Sequence, residues 1–224
     1  MGSNRRAVIL LSGGLDSTVL AAAMLQDGWE LSALSVDYGQ RHRRELVAAE
    51  AVAKALGIPH RILDLSWFAS LIPASSQTDL SVPVPHGHYA QATMKVTVVP
   101  NRNMVMLSLA AAHALGIGAQ AIAIAAHAGD HAIYPDCREE FMRDFLACVR
   151  SGNWDADALH LHRPFVDMSK ADIARIGCDI GAPTHLTYSC YEGQQVHCGR
   201  CGTCVERKEA FDLAGAYDPT EYRA

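Results

Sequence analysis

The sequence predicts an α/β protein: a doubly wound parallel sheet followed by a small metal-binding knuckle near the C-terminus. Three observations carry that expectation. The apolar run Ala7–Leu11 passes through Ser12-Gly13-Gly14 into a segment with helical spacing, and the strand-then-helix alternation recurs twice before residue 73. Half of the 224 residues are apolar, enough for a sizeable core around one sheet. Cys190, Cys198, Cys201 and Cys204 crowd together in a chain with seven cysteines. The expected division is a sheet domain over 1–185, with a flap at about 73–99, and a knuckle with a helix over 186–224.

The first unit is a buried strand, a tight turn and a helix opened by Asp16-Ser17, with Val19, Leu20, Ala23 and Met24 at helical spacing. Gly13 and Gly14 admit backbone angles closed to other residues and let a ligand approach the main chain, while the first N–H groups of the helix lack internal partners. Such a turn binds anions. SGGLDS lacks the lysine of a Walker A loop and the spacing of GxGxxG, which excludes both of those classes. It resembles the pyrophosphate loop (PP-loop) of the N-type ATP pyrophosphatases, which cleave ATP between the α and β phosphates on a Rossmann-like, adenine nucleotide alpha hydrolase-like fold. That resemblance assigns nucleotide binding to Leu10, Leu11, Ser12, Gly13, Gly14, Leu15, Asp16, Ser17, Thr18, Val19 and Leu20.

Gly28 stops the helix, and Glu30–Val36 alternates as a second strand that ends in Asp37-Tyr38-Gly39-Gln40-Arg41-His42. Ligands of open α/β sheets sit beyond the carboxyl ends of the strands, so Asp37, Tyr38, Gln40 and Arg41 are further candidate nucleotide contacts. The alternative is a polar loop and helix start. Arg43–Leu56 reads as an amphipathic helix with Leu46, Val47, Ala49, Val52, Ala53 and Leu56 on its apolar face, closed by Gly57. Ile58–Leu65 is a third strand, and three such units in succession mean a parallel sheet. Trp67–Ile72 is expected as a short helix whose aromatics pack on the sheet. Pro73–Val99 breaks the pattern, and so long a loop is a functional flap or a disordered segment; it is expected to cover the active site. His86 and His88 within it are either metal ligands or flexible surface imidazoles.

Asn101-Arg102-Asn103 opens an apolar helix, Met104–Leu115. Arg102 needs an anionic partner there, a nucleotide phosphate or a surface carboxylate. Ala121–Ala126 is a fourth, buried strand, followed by HAGDHAIYPDCR at 127–138. Glu139–Arg150 is an amphipathic helix with Phe141, Phe145 and Val149 on one side, and a polar stretch then runs to Pro164. Ser169 caps the next helix with Asp172 three residues on. Lys170 opposes the dipole of that helix, which makes sense if it faces phosphate; a solvated lysine is the alternative. The spacing C-x7-C-x2-C-x2-C of Cys190, Cys198, Cys201 and Cys204 folds round one tetrahedral ion, and four closed ligands make the metal structural. His197 is an extra candidate ligand or a neighbour outside the knuckle. Cys148 and Cys178 read as small core residues, and Cys137 is open to either a core or a chemical role.

Lys and Arg total 19 against 24 Asp and Glu, a net charge of -5 without basic runs, which argues against a chain that grips nucleic acid. No apolar run is long enough to span a membrane, and the one after Arg5-Arg6 is too short for a signal-peptide core. Met1-Gly2 does not begin a myristoylation signal, since Arg6 stands where Ser or Thr is required. An odd cysteine count crowded at one end points to metal ligation in a reducing cytoplasm.

DYGQRH, VPNRN, YPDCREEF and the late cysteines, in this order, resemble the 7-cyano-7-deazaguanine synthase family of the queuosine pathway over essentially the whole chain. Two places depart from the patterns of some members: VVPNRN for FVPGRN, and Lys170-Ala171-Asp172-Ile173 for KAET. The resemblance implies an ATP-dependent ligase that converts 7-carboxy-7-deazaguanine and ammonia to 7-cyano-7-deazaguanine through an adenylated carboxylate, an amide and an adenylated amide. It implies one structural Zn2+ per chain on the four cysteines, ATP with Mg2+, and a cytoplasmic homodimer. Asp16, Arg102 and Lys170 are then the catalytic candidates at the phosphates, and Asp130, His131, Tyr134, Asp136 and Arg138 the candidates on the deazaguanine. The alternatives are a relative that stops at 7-amido-7-deazaguanine and a PP-loop enzyme that thiolates tRNA with Cys137 as sulfur carrier.

Overall fold

In the computed structural model, which describes residues 5–89 and 94–223, β1 (Arg6–Leu10) is the central strand of a five-stranded sheet. It pairs with β2 (Glu30–Asp37) on one side and β4 (Ala121–Ala123) on the other; β3 (His60–Asp64) flanks β2 and β5 (His160–His162) flanks β4. All four pairings are parallel, in the order β3-β2-β1-β4-β5. Ala7, Val8 and Ile9 are buried because helices cover both faces, which is why this strand reads as a continuous apolar run and not as an alternation.

On one face α1 (Leu15–Gln26), α2 (Arg44–Leu56), α5 (Lys170–Asp179) and α6 (Gly202–Ala214) pack Val19, Leu20, Val52, Ile173 and Phe211 around Ile9, Leu31 and Ala33. On the other, α3 (Arg102–Ile117) and α4 (Glu139–Gly152) pack Leu107, Ala110, Met142 and Phe145 around Val8, Leu34 and Ile122. The doubly wound α/β fold expected from the alternation is therefore present. Ala210 and Phe211 bring the knuckle helix into the main core, so the boundary expected at 185/186 lies within continuous packing. Among the described residues no helix is long and apolar enough to cross a membrane.

Several local expectations are corrected. β5 lies in the stretch read as polar loop; three residues, two of them histidines, give no pattern, and pairing with β4 alone defines it. The fourth strand stops at Ala123, and 124–126 leave the ladder toward the cleft described below. Residues 66–71 form a 3-10 helix whose Trp67 is exposed instead of packed on the sheet. Val47 is exposed and Ala48 buried, because α2 is rotated relative to the expected face. Cys148 and Cys178 lie on the outer faces of α4 and α5, not in the core.

The flap, apart from residues 90–93, lies within the described residues; those four and Met1-Gly2 lie outside them. It is held at two places along its middle. Arg41 donates to the Asp79 and Val82 carbonyls at 2.7 and 2.9 Å, and the Gly87 amide to Arg200 at 2.9 Å. His86 and His88 are surface groups paired with Glu192 and Glu209, each at 2.9 Å.

Candidate active site

The strand order reverses between β1 and β4, and a cleft of about 240 Å3 opens there beyond the carboxyl ends of β1, β2 and β4. One wall is the turn from Ser12 to Ser17. The Ser12 amide donates to the Ser17 hydroxyl at 3.2 Å, the two hydroxyls lie 3.0 Å apart, and the Gly14 amide donates to Ser12 Oγ at 3.3 Å. This coil delivers the chain into α1 with Gly14 as an N-cap that offers no side chain, so the first-turn amides keep their capacity for an anion.

The two glycines differ. Gly13 has a φ of +83°, and a Cβ there would stand 2.2 Å from the Glu45 carbonyl oxygen, so it serves close packing on α2 and is no window for a ligand. Gly14 faces the cleft, with Ser12 Oγ the nearest obstacle to a Cβ at 3.3 Å. From far along the chain, the Tyr188 amide donates to the Gly13 carbonyl at 2.9 Å and locks the turn. Leu10, Leu11, Ser12, Leu15, Asp16 and Ser17 line the cleft, whereas Thr18, Val19 and Leu20 are buried beneath it.

Lys170 begins α5, capped as expected: the Asp172 amide donates to Ser169 Oγ at 3.2 Å and the Ser169 amide to Asp172 Oδ2 at 3.1 Å. Its ammonium is 3.1 Å from Asp16 Oδ2 and 2.8 Å from Glu206 Oε2, so it faces charge and is not solvated. Burial disfavours the Asp16 carboxylate, yet the Lys170 ammonium together with the fields of His127 and Arg207 outweighs it and lowers the Asp16 pKa. At Glu206 burial wins over the same ammonium and raises the pKa. Burial also works against the lysine, and its two acids more than compensate. Asp16 Oδ1 is buried and has no hydrogen-bond partner among the described residues, an acceptor suited to a cation. Glu206 was not legible in the sequence, because α6 brings it in from 36 residues beyond Lys170.

The opposite wall is aromatic. Tyr38, Tyr134 and Tyr191 surround Arg102, whose guanidinium lies 5.6 Å from the centre of the Tyr134 ring. The Tyr134 hydroxyl is 3.0 Å from Thr97 Oγ1 and 3.4 Å from the Tyr191 hydroxyl, and Tyr89 donates to Asp130 Oδ1 at 3.4 Å. Burial raises the pKa of Tyr38, Tyr89 and Tyr191, so these phenols stay neutral. His42 also lines the cleft, 3.2 Å from Glu45 Oε2, and Glu45 accepts from Gln40 Nε2 at 2.9 Å. Tyr89, Tyr191, Ser189 and Thr203 are lining residues that sequence reasoning missed; the last three lie in the knuckle region, read there only for its metal.

Other expected contacts turn away. Asp37 accepts from Arg43 and, at 3.1 Å, from the Gly39 amide, Gln40 accepts from the Tyr38 amide at 2.8 Å, and Arg41 holds the flap. Of the expected base contacts, Asp130 and Tyr134 line the cleft. Asp136 instead accepts from the Asn103 amide at 3.2 Å at the start of α3. Arg138 donates to the His131 carbonyl at 2.9 Å and borders a separate hollow under the flap. The polar side chains of Asp136 and Arg138 are thus spent on the start of α3 and on the segment's own turn.

Cys190, Cys198, Cys201 and Cys204 are buried with their sulfurs within 4.8 Å of one another. The Cys198 amide donates to Cys190 Sγ at 3.3 Å and the Cys201 amide to Cys198 Sγ at 3.2 Å, bonds that suit thiolates. The cluster is able to hold a metal ion. His197 stands outside it: its Nε2 accepts from the Ser189 amide at 3.0 Å, and burial lowers its pKa to about 4.

A parallel sheet with this glycine turn at its switch point places the chain in the PP-loop class of α/β folds. NMN synthetase from Francisella tularensis shares the fold, with a TM-score of 0.52 at 17% identity over 94% of this chain and 77% of that one. NH3-dependent NAD synthetase from Campylobacter jejuni aligns at 0.51 and 15%, over 83% and 68%. The family model described as "Queuosine biosynthesis protein QueC" matches residues 6–215, and the chain belongs to that family. It is 49% identical to a 7-cyano-7-deazaguanine synthase of Sinorhizobium fredii, covering 97% of this chain and 92% of the relative. A synthase of the same name from Brucella anthropi is 49% identical, over 97% and 93%.

Proposed function

We propose that this protein is an ATP-dependent ligase that converts 7-carboxy-7-deazaguanine and ammonia to 7-cyano-7-deazaguanine. The observation that carries the reading is a single cleft whose glycine turn and Lys170 suit phosphates and whose facing wall of tyrosines suits a flat heterocycle. In this reading the Ser12–Ser17 amides and Lys170 hold pyrophosphate, and the free oxygen of Asp16 would hold Mg2+, which when bound spreads the phosphate charge. A carboxylate oxygen attacks the α phosphate, pyrophosphate leaves, and ammonia displaces AMP to give the amide. A second adenylation of the amide oxygen makes it a leaving group, and loss of the amide protons completes the nitrile. Asp130 and Tyr134 are positioned to meet the base, with His131, Asp136 and Arg138 supporting their segment.

The four cysteines would hold one zinc ion with no open coordination position, a structural role. A cytoplasmic homodimer carries over from the family resemblance as part of this proposal. The thiolating alternative is disfavoured by Cys137, whose thiol is held protonated because burial raises its pKa, against the small opposing pull of the Asn103 side chain that donates to it at 3.3 Å. The test is pyrophosphate release and mass spectrometry of the product, with zinc content measured on the same protein. Two AMP per nitrile and one zinc per chain are expected. An amide that accumulates and is never consumed overturns the nitrile assignment, and release that requires tRNA overturns the substrate.

A further inference from the structure

We infer that Arg102 receives the carboxylate of the substrate, in a tyrosine-walled subsite for a planar heteroaromatic acid; this rests on the ligase reading above. The sequence offered Arg102 a phosphate or a surface carboxylate, and its surroundings fit neither. No described carboxylate lies within ion-pair distance of its guanidinium, and the acid in its field, Asp136, spends an oxygen on the Asn103 amide at 3.2 Å. A half-buried cation ringed by phenols, with no acid at ion-pair distance, lacks a direct counter-ion, and a ligand anion supplies one.

Phosphate is the weaker occupant. The phosphate wall is complete without Arg102, since the turn amides, Lys170 and the free Asp16 oxygen all belong to the far side of the cleft. Around Arg102 the surfaces are ring faces and hydroxyls of Tyr38, Tyr134 and Tyr191, which favour a flat ring system over a hydrated polyanion. A bicyclic heterocycle against these rings places an acid substituent on the guanidinium, whose paired N–H donors match the two oxygens of a carboxylate.

The consequence for the reaction is electrostatic. A carboxylate approaching the α phosphate of ATP is one anion approaching another, and Arg102 offsets that charge while each oxygen it binds keeps a second lone pair, one of which attacks. The new bond joins that oxygen to the α phosphorus, the bond to the bridging oxygen of pyrophosphate breaks, and Arg102 keeps its proton throughout. Once the amide has formed, the charge is gone. Arg102 therefore favours the first activation over the second.

Steady-state pyrophosphate release measured separately with 7-carboxy-7-deazaguanine and 7-amido-7-deazaguanine tests this. In Arg102→Gln, kcat/KM for the acid is expected to fall roughly ten- to a hundred-fold more than kcat/KM for the amide, the span of a charged hydrogen-bonded contact. Arg102→Lys should recover part of that difference. An equal fall for acid and amide, or a fall traced to a raised KM for ATP, overturns the assignment and returns Arg102 to the phosphates. Should the variants not fold, calorimetry on the wild-type protein without ATP decides: the acid binds at least about tenfold tighter than the amide, and salt weakens only the acid. Equal affinities overturn the inference. Wild-type protein that releases pyrophosphate with neither compound takes down the ligase reading as well, which separates the two failures.

Discussion

Two turns leave the carboxyl ends of neighbouring strands, β1 and β2, and dispose of their polar residues in opposite ways. After β1, Ser12, Gly14, Asp16 and Ser17 all face the cleft. After β2, Asp37, Gln40 and Arg41 bond back into the protein, and only Tyr38 and His42 reach it. The spacing to the next helix accounts for the difference. From β1 the chain enters α1 at Leu15, so the free amides of the helix end stay pointed at the opening. From β2 it does not enter α2 until Arg44, and the intervening loop has main-chain groups of its own to satisfy, which consume Asp37 and Gln40, while Arg41 is drawn to the carbonyls of Asp79 and Val82.

The largest effect should come from the acid on the open turn. Asp16→Ala is expected to lower the rate of pyrophosphate release by roughly a hundred- to a thousand-fold, the scale seen when one preorganised electrostatic partner is removed. Its melting temperature should change little, because Glu206 still neutralises Lys170 at 2.8 Å. Unchanged turnover would remove the turn from the active site.

The glycines sharpen the contrast within one turn. Gly13→Ala forces a Cβ to 2.2 Å from the Glu45 carbonyl oxygen at a φ of +83°. A cost of about 3 kcal/mol is expected from such backbone overlap and strain, or about 10 °C in Tm for a chain of this size. Gly14→Ala has an ordinary φ of -79° and no backbone overlap, so its Tm should stay near wild type while the KM for ATP rises. Equal melting temperatures in the two variants would contradict this division.

These contrasts mark what the chain discloses by itself. β1, the turn and α1 were legible because a doubly buried strand and an uncapped helix start are local properties of Ala7–Ser17. Lys170 was legible as a lysine at the wrong end of a helix, but its second acid, Glu206, arrives by packing of α5 on α6. β5 was invisible because an edge strand of His160, Leu161 and His162 has no burial pattern to display. Tyr191, Ser189 and Thr203 stand between or beside the cysteines of the cluster able to hold a metal, and one reading masked the other. The rule that ligands sit beyond strand ends located DYGQRH correctly and said nothing of which way its side chains point.

The smallest effects belong to that second turn, and they decide whether it was rightly set apart. The Asp37 carboxylate is 6% exposed while its partner Arg43 is 66% exposed, so the ion pair is half in water and is worth at most about 1 kcal/mol. Arg43→Ala should therefore lower Tm only slightly. Asp37→Ala removes the same pair and also strands the Gly39 amide that donates to it at 3.1 Å, which raises the expected cost to about 2 kcal/mol. Neither side chain lines the cleft, so pyrophosphate release at saturating ATP should remain within about threefold of wild type in both. The pairing of thermal melts with kinetics makes the comparison decisive. If Asp37→Ala loses activity on the scale of Asp16→Ala with its Tm intact, the turn after β2 contacts nucleotide after all, and the loop closes on ligand in a way its internal hydrogen bonds oppose.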